Sequence, residues 1–264
     1  EKKIITTSLW SSELSKLIAN AFLAQRISSI NSVSAICEET GADVQEVALA
    51  VGADKRIGKY FLNAGPGFGG SCFKKDILNL VYICNHYGLN EVGSYWQKVI
   101  EINAWQQKRI SSLIVEKLFG TLSGKKISVL GFSFKANTND TRESPSIKIC
   151  KELLEEGANL AIYDPRVSKK QIEADLGRKE FANVKDVKNE GSWLFCDSIK
   201  DSALNSDAIL VLTEWNEFKA VNWEVISSLM RKPSWIFDTR SIANLDEAKK
   251  YGLNTWRIGT ELKK

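Results

Sequence analysis

KKISVLGFSF, residues 125–134, divides the sequence in two. It is a run of β-branched and aromatic residues broken by Gly131, which predicts a buried strand followed by a tight turn. Beyond it the pattern alternates. SPSIKICKELLEEG (144–157) reads as a capped helix with Pro145 near its start, and NLAIYDP (159–165) as a second strand. A polar stretch covers 166–190, then DSALNSDAILVLTEW (201–215) gives a short helix and a strand. WEVISSLM (223–230), SWIFDTR (234–240) and TWRIG (255–259) complete the series. Repeated strand and helix predict an α/β fold with a parallel, doubly wound, Rossmann-like sheet.

Before residue 120 the period is helical. In 9–41, Leu14, Leu17, Ile18, Ala21, Phe22, Ile30 and Val33 recur at spacings of three and four, and Gly41 stops the run. Ser11 or Ser12 is the expected cap, with Glu13 in the first turn. ADVQEVALAVGAD (42–54) predicts a shorter helix closing at Gly52. After an irregular glycine-rich segment, 71–88 is helical again and 91–120 predicts one long helix. A helix of that length packs on a partner or spans two domains. The expected division is therefore an all-helical domain over 1–91, a connecting helix over 92–120 and an α/β domain over 121–264.

The 264 residues are 44% hydrophobic and 26% charged, with a net charge of +4. That is ordinary for a soluble protein, and far from a nucleic-acid-binding balance. No apolar run has the length of a membrane span, and no signal peptide is visible. Cysteines 37, 72, 84, 150 and 196 are odd in number and lack zinc-site spacing, which predicts reduced thiols in a cytoplasmic protein and no metal site. The lone histidine, His86, sits at an expected helix end as a solvated residue, so a Ser-His-Asp mechanism has no good base. The chain opens at Glu1 with KKIITTS, which reads as the tail of something longer.

GPGFGG (65–70) has the G-x-G-x-x-G spacing of a dinucleotide turn. Such a turn needs a strand before it, a helix after it and an acid about twenty residues on. KRIGKYFLNA (55–64) makes a poor strand, Asp76 comes too early and Glu91 opens a helix, so the context fails. The alternative is a loop whose amides approach a ligand and which sets Cys72 at a helix N-terminus. The helix dipole, with Lys74 and Lys75 nearby, favours a thiolate there and hence a nucleophile. A buried cysteine acting as a small hydrophobe fits equally well. The turn 131–144, with Lys135 and Arg142, suits a phosphate-bearing ligand at the end of a first strand, or is a solvated basic loop.

Three stretches carry a resemblance: SSELSKLIANAFLAQRISSINS (11–32), GFGGSCFKKD (67–76) and GFSFKANTNDTRESPS (131–146), with FDTR (237–240) following in order. Together they resemble the UDP-glucose 6-dehydrogenases of the UDP-glucose/GDP-mannose dehydrogenase family. The resemblance implies a four-electron oxidation of UDP-glucose to UDP-glucuronate by NAD, through a cysteine thiohemiacetal and thioester. It implies that Cys72 is the nucleophile, that Asp76 handles water and protons, and that Lys16 and Asn20, one helical turn apart, stabilise the oxygen on C6. A lysine suits that task because burial tunes its pKa, and burial is expected around Lys16. Arg56 would reach the nucleotide sugar across a dimer interface. Phe61, Leu62 and Gly69 would border the sugar, Phe134, Lys135 and Arg240 would contact the substrate, and Lys75 and Arg142 would lie near NAD.

The resemblance also implies a homodimer or higher homo-oligomer built through the helical domain. It implies an N-terminal Rossmann domain holding most of the NAD site, and nothing in these 264 residues supplies it, which leads one to expect a fragment that binds without turnover. Asn63 stands where animal members carry a lysine. The alternatives are a non-catalytic UDP-sugar-binding or dimerisation module, and a related dehydrogenase acting on another nucleotide sugar.

Overall fold

The computed structural model describes residues 4–180 and 191–261. Residues 181–190, part of the polar stretch, lie outside the described residues. Four helices come first: α1 (Leu9–Thr40), α2 (Val44–Ala53), α3 (Phe73–His86) and α4 (Asn90–Lys117). The α/β part follows as β1 (Lys126–Leu130), α5 (Pro145–Glu155), β2 (Asn159–Tyr163), α6 (Lys169–Leu176), β3 (Ser192–Phe195), α7 (Ile199–Ala203), β4 (Ala208–Val211), α8 (Trp223–Leu229), β5 (Ser234–Asp238), α9 (Leu245–Lys250) and β6 (Leu253–Arg257).

All neighbouring strands are parallel, in the order β3-β2-β1-β4-β5-β6. This is the doubly wound order, and it reverses between β1 and β4. The loops after those two strands therefore part and open a crevice at the sheet's carboxyl edge. Gly131 makes the crevice possible: its φ is +95°, and a Cβ there would fall 2.4 Å from that of Thr213 beyond β4. One face of the sheet packs on Ile114, Leu153 and Ile172, from α4, α5 and α6. The other packs on Trp223, Ile226 and Leu245, from α8 and α9.

α4 belongs to both halves. Trp96 and Val99 close a core with Ala21, Ala24 and Ile77, while Ile110 and Ile114 enter the core of the sheet. Its 28 residues span about 42 Å, enough to reach both. A second bolt is polar. Glu38 on α1 accepts from Arg109 on α4 at 2.6 Å and from the backbone N–H of Gly259, past β6, at 2.8 Å. The carboxylate is buried, so both donors are needed to hold its charge.

Several local readings need correction. α1 begins a turn early, because Ser8, not Ser11 or Ser12, accepts from the Ser11 N–H; Glu13 then falls outside the first turn. α2 continues through Gly52 and ends at Ala53. β3, α6 and α9 lie in segments that showed no clear period. β3 is an edge strand of four residues, too short to show an alternation. The long helix expected over 92–120 starts two residues earlier and unwinds before Leu118.

Glu38→Ala strips Arg109 and Gly259 of a shared partner. The expected loss is about 3 kcal/mol of unfolding free energy, measured by urea denaturation.

Candidate functional site

The glycine-rich loop 65–70 is buried but has no strand or helix to satisfy its backbone. Side-chain amides do so instead. Asn31 on α1 accepts from Gly65 N–H at 2.8 Å, and Gln106 on α4 donates to Gly65 C=O at 3.0 Å. Asn103 accepts from Phe68 N–H at 2.8 Å and donates to Phe68 C=O at 3.2 Å. All three side chains are buried. The loop's far end meets the turn after β1: Gly70 N–H donates to Arg142 C=O at 2.8 Å. Gly69 lies so close to that turn that a Cβ would stand 2.6 Å from the Glu143 carbonyl oxygen.

This fixed loop delivers Cys72 as the N-cap residue of α3. Cys72 is exposed, which removes the buried-hydrophobe alternative. The Ser71 hydroxyl lies 3.6 Å from its sulfur. One turn on, Asp76 donates its N–H to Cys72 C=O at 2.8 Å, which places both residues on one helix face. The Asp76 side chain is only 3% exposed. Its Oδ2 accepts from Asn20 at 2.5 Å and faces the Lys16 ammonium at 3.3 Å. Lys16, Asn20 and Asp76 thus form one cluster across α1 and α3, with Cys72 one turn before Asp76 on α3. The burial expected around Lys16 is not found: its side chain is 69% exposed.

Aromatic rings line the approach. The Phe73 ring stands 5.9 Å from Phe68 and 6.5 Å from Phe61. Phe61 has a φ of +60°, an uncommon conformation for a bulky residue and a mark of a constrained loop.

A second group gathers at the sheet's crevice. Arg240, after β5, donates from Nε to Leu212 C=O at 2.8 Å and from Nη2 to Phe134 C=O at 3.3 Å. It pairs with Glu214 at 3.2 Å. Burial pushes the guanidinium below its usual range, opposed by the Glu214 and Asp238 charges. Asp238 fixes the turn by accepting from Arg240 N–H at 2.9 Å and Ala243 N–H at 2.8 Å. Burial raises its carboxyl above the ordinary value. Lys135 is exposed, its ammonium 5.3 Å from the Phe134 ring centre. Leu62 and Arg240 line a cleft of about 550 Å³ between α2 and the loops after β4 and β5.

Arg142 is exposed and grips Asp140 at 2.7 Å. That carboxylate raises its guanidinium above the usual value, with Cys72 adding a smaller contribution in the same direction. Lys75 is exposed on α3. Arg56 stays apart from both groups: it is 89% exposed and clasps Asp54 at 2.5 Å. Asn31, Asn103 and Gln106 were missed by sequence reasoning. Their trace was an amide within an otherwise helical apolar stripe. Also missed was the Lys74–Glu143 pair, 2.8 Å, which straps α3 to the turn after β1.

The described residues do not build a dinucleotide cradle in the α/β sheet. The turn after β1 holds the single glycine Gly131. Asp164, at the tip of β2 where a ribose partner belongs, is saturated: it accepts from Phe132 and Ser133 N–H, from Arg166 and Val167 N–H, and from the Trp215 indole. Among the described residues no group of three or more His, Cys, Asp or Glu gathers to hold a metal, and no helix is long and apolar enough to cross a membrane.

A helical unit with an exposed thiol and a buried carboxylate one turn apart on α3, joined to a doubly wound sheet with an open switch-point crevice, defines a two-part α/β architecture of the nucleotide-binding kind. The chain belongs to the UDP-glucose/GDP-mannose dehydrogenase family: residues 10–105 match that family's central domain and 128–245 its UDP binding domain. It is 50% identical to UDP-glucose 6-dehydrogenase 4 of Arabidopsis thaliana, over 99% of this chain and 56% of that protein. It is 51% identical to UDP-glucose 6-dehydrogenase of Drosophila melanogaster, over 98% of this chain and 54% of that one. The solved UDP-glucose dehydrogenase of the archaeon Pyrobaculum islandicum is 28% identical and superposes with a TM-score of 0.77, covering 96% of this chain and 51% of its own. The chain thus spans about half the length of the curated relatives it matches.

Of the five thiols only Cys72 is exposed. Burial pushes Cys196 up to about 11 and Cys150 well above the thiol range. Iodoacetamide is expected to label Cys72 alone in the native protein and the other four only after denaturation; intact-mass analysis, with Cys72→Ser as control, reads the result.

Proposed function

We propose that this chain holds UDP-glucose and carries the thiol on which its C6 carbon is oxidised to the level of UDP-glucuronate. The observation that carries the reading is the cluster at the mouth of α3. In it a buried carboxylate meets an ammonium and an amide from α1, one turn along α3 from an exposed thiol. The relatives' names supply the substrate class, and the crevice at the sheet's switch point supplies a place for the nucleotide.

The residues divide the work by chemistry. With C6 at the aldehyde level, the Cys72 thiolate adds to the carbonyl carbon and the carbonyl oxygen takes up negative charge. Lys16 and Asn20 donate to that oxygen, as preorganised donors do in acyl chemistry. When the sulfur carries a thioester, water attacks its carbon and passes a proton to Asp76, and the thiolate leaves. The Lys16 and Asn20 contacts hold the Asp76 carboxyl aimed in advance of that step. Phe61, Leu62 and Gly69 border the sugar, Phe134 and Lys135 contact it, and Arg240 makes a further contact to the bound substrate. Arg56, exposed on its loop, is free to meet a second protomer docked on the helical part. Five unpaired thiols fit a reducing cytoplasmic compartment.

NAD is the family's oxidant, and Lys75 and Arg142 are the residues here proposed to border it. No cradle for it is built by the described residues, so the steps derived above stay with the thiol.

Calorimetric titration of the 264-residue chain with UDP-glucose, without NAD, tests the reading. Micromolar-range binding, weakened about tenfold by Lys135→Ala, is the expected outcome. A folded chain that takes up no UDP-glucose contradicts it. Mixed with UDP-glucose and NAD, the same chain is expected to show no NADH absorbance; a sustained rate would show that the dinucleotide is held here after all.

A further inference from the structure

α4 and α5 part beneath the glycine-rich loop and leave a second cleft, of about 410 Å³, which shares no lining residue with the cleft beside Arg240. Its walls are apolar: Phe68 from the loop, Ile100 and Ala104 from α4, and Ile147 from α5. One polar group inside it is unused. Gln107 on α4 is only 7% exposed and lines the cleft, yet among the described residues its side-chain amide has no hydrogen-bond partner. Its Nε2 lies 3.3 Å from the place a Gly67 Cβ would take, directly under the loop. The neighbouring Asn103 and Gln106 bond the loop's backbone, and Gln107 does not. Buried amides are as a rule hydrogen-bonded, so a free one lining a cleft marks a place for a ligand.

The rim is cationic. Lys148 on α5 reaches across the cleft and donates to Ala104 C=O at 3.4 Å, while its nearest carboxylate, Glu152, is 3.9 Å away. Lys151, one turn on, also lines the cleft and forms no ion pair among the described residues. Lys74 stands at the mouth, neutralised by Glu143 at 2.8 Å. The mouth adjoins the thiol: Phe68 packs on Phe73 at 5.9 Å, and Phe73 and Lys74 open the helix that Cys72 caps.

We propose that this cleft is an effector site for a small N-acylated amino acid, and that filling it slows the reactions of Cys72. Each part of such a molecule has a counterpart. Its amide offers a donor and an acceptor side by side, as the Gln107 amide does. Its apolar side chain lies on Phe68, Ile100 and Ile147, and its carboxylate meets Lys148 and Lys151. A plain fatty acid would leave Gln107 unmatched, a sugar the walls, and a neutral amide the lysines. The bound carboxylate adds negative charge near the start of α3, which disfavours the thiolate and so lowers its rate of attack.

The probe is N-acetyl-L-phenylalanine, titrated calorimetrically into the 264-residue chain, with iodoacetamide labelling of Cys72 followed by intact mass. Saturable binding is expected, with labelling slowed about threefold at saturation. Gln107→Leu is expected to weaken binding about tenfold and Lys151→Ala about threefold. Neither should move the urea midpoint, because neither side chain holds a partner within the fold. N-acetylphenylalaninamide, which lacks the carboxylate, is expected to bind more weakly than the acid. Absence of binding to the folded parent overturns the inference, as does undiminished binding to Gln107→Leu. Displacement of the probe by UDP-glucose would put it in the switch-point crevice and overturn the site. Binding that leaves the labelling rate unchanged overturns the effector role. Neither readout requires UDP-glucose to bind, so this inference and the UDP-glucose reading stand or fall separately.

Discussion

Three buried amides hold this protein's reactive end in place. The loop 65–70 passes through the interior without a strand or helix to pair it, and a buried peptide group left unpaired costs about 1–3 kcal/mol. An amide side chain can repair this where a charged one would add its own desolvation cost. It brings N–H donors and a carbonyl acceptor together, so Asn103 closes both backbone groups of Phe68 by itself. Asn31 and Gln106 do the same for Gly65 from two different helices. Cys72 follows two residues after the loop. Its position is set by α1 and α4, and only secondarily by α3, to which it belongs.

Charge is used in two ways. At the surface, Arg56–Asp54, Lys74–Glu143 and Arg142–Asp140 are exposed pairs that add little stability, being screened by water and salt. They fix side chains until something competes for them. Inside, Glu38 with Arg109 and Asp76 with Asn20 and Lys16 are of another kind. Removing one partner there strands a charge away from water. The first internal group joins the two halves of the chain, and the second sets up the thiol's surroundings.

How much of this was legible follows the same physics. The parallel sheet announced itself through β1, β2, β4 and β5, whose apolar runs are what a strand buried on both faces requires. β3 and α9 were invisible because short edge elements carry too few positions to establish a period. The start of α1 was misread because Ser8, Ser11 and Ser12 are equally able caps, and the choice lies in backbone angles that a sequence does not display. Of the site, only Cys72 was readable from its own surroundings, after a glycine-rich loop and at a helix start; Asp76, Lys16 and Asn20, and their meeting across α1 and α3, were implied only by resemblance. The amide clamp stayed hidden, since nothing local distinguishes Asn103 from a polar residue turned to solvent.

The hydrogen bond from Gly259 to Glu38 joins residues 221 positions apart. During synthesis at roughly 5–20 residues per second, about 10–45 seconds separate the emergence of the two. Through that interval the helical half can pack its own apolar core, but Glu38 lacks one of its two donors and Val44 has no Gly259 carbonyl to receive its N–H. The seam that will take the last strand stays open until the ribosome has delivered it. Completion of the fold is thus timed by translation, and a nascent chain stalled before residue 259 carries a folded helical half whose buried acid is only half satisfied.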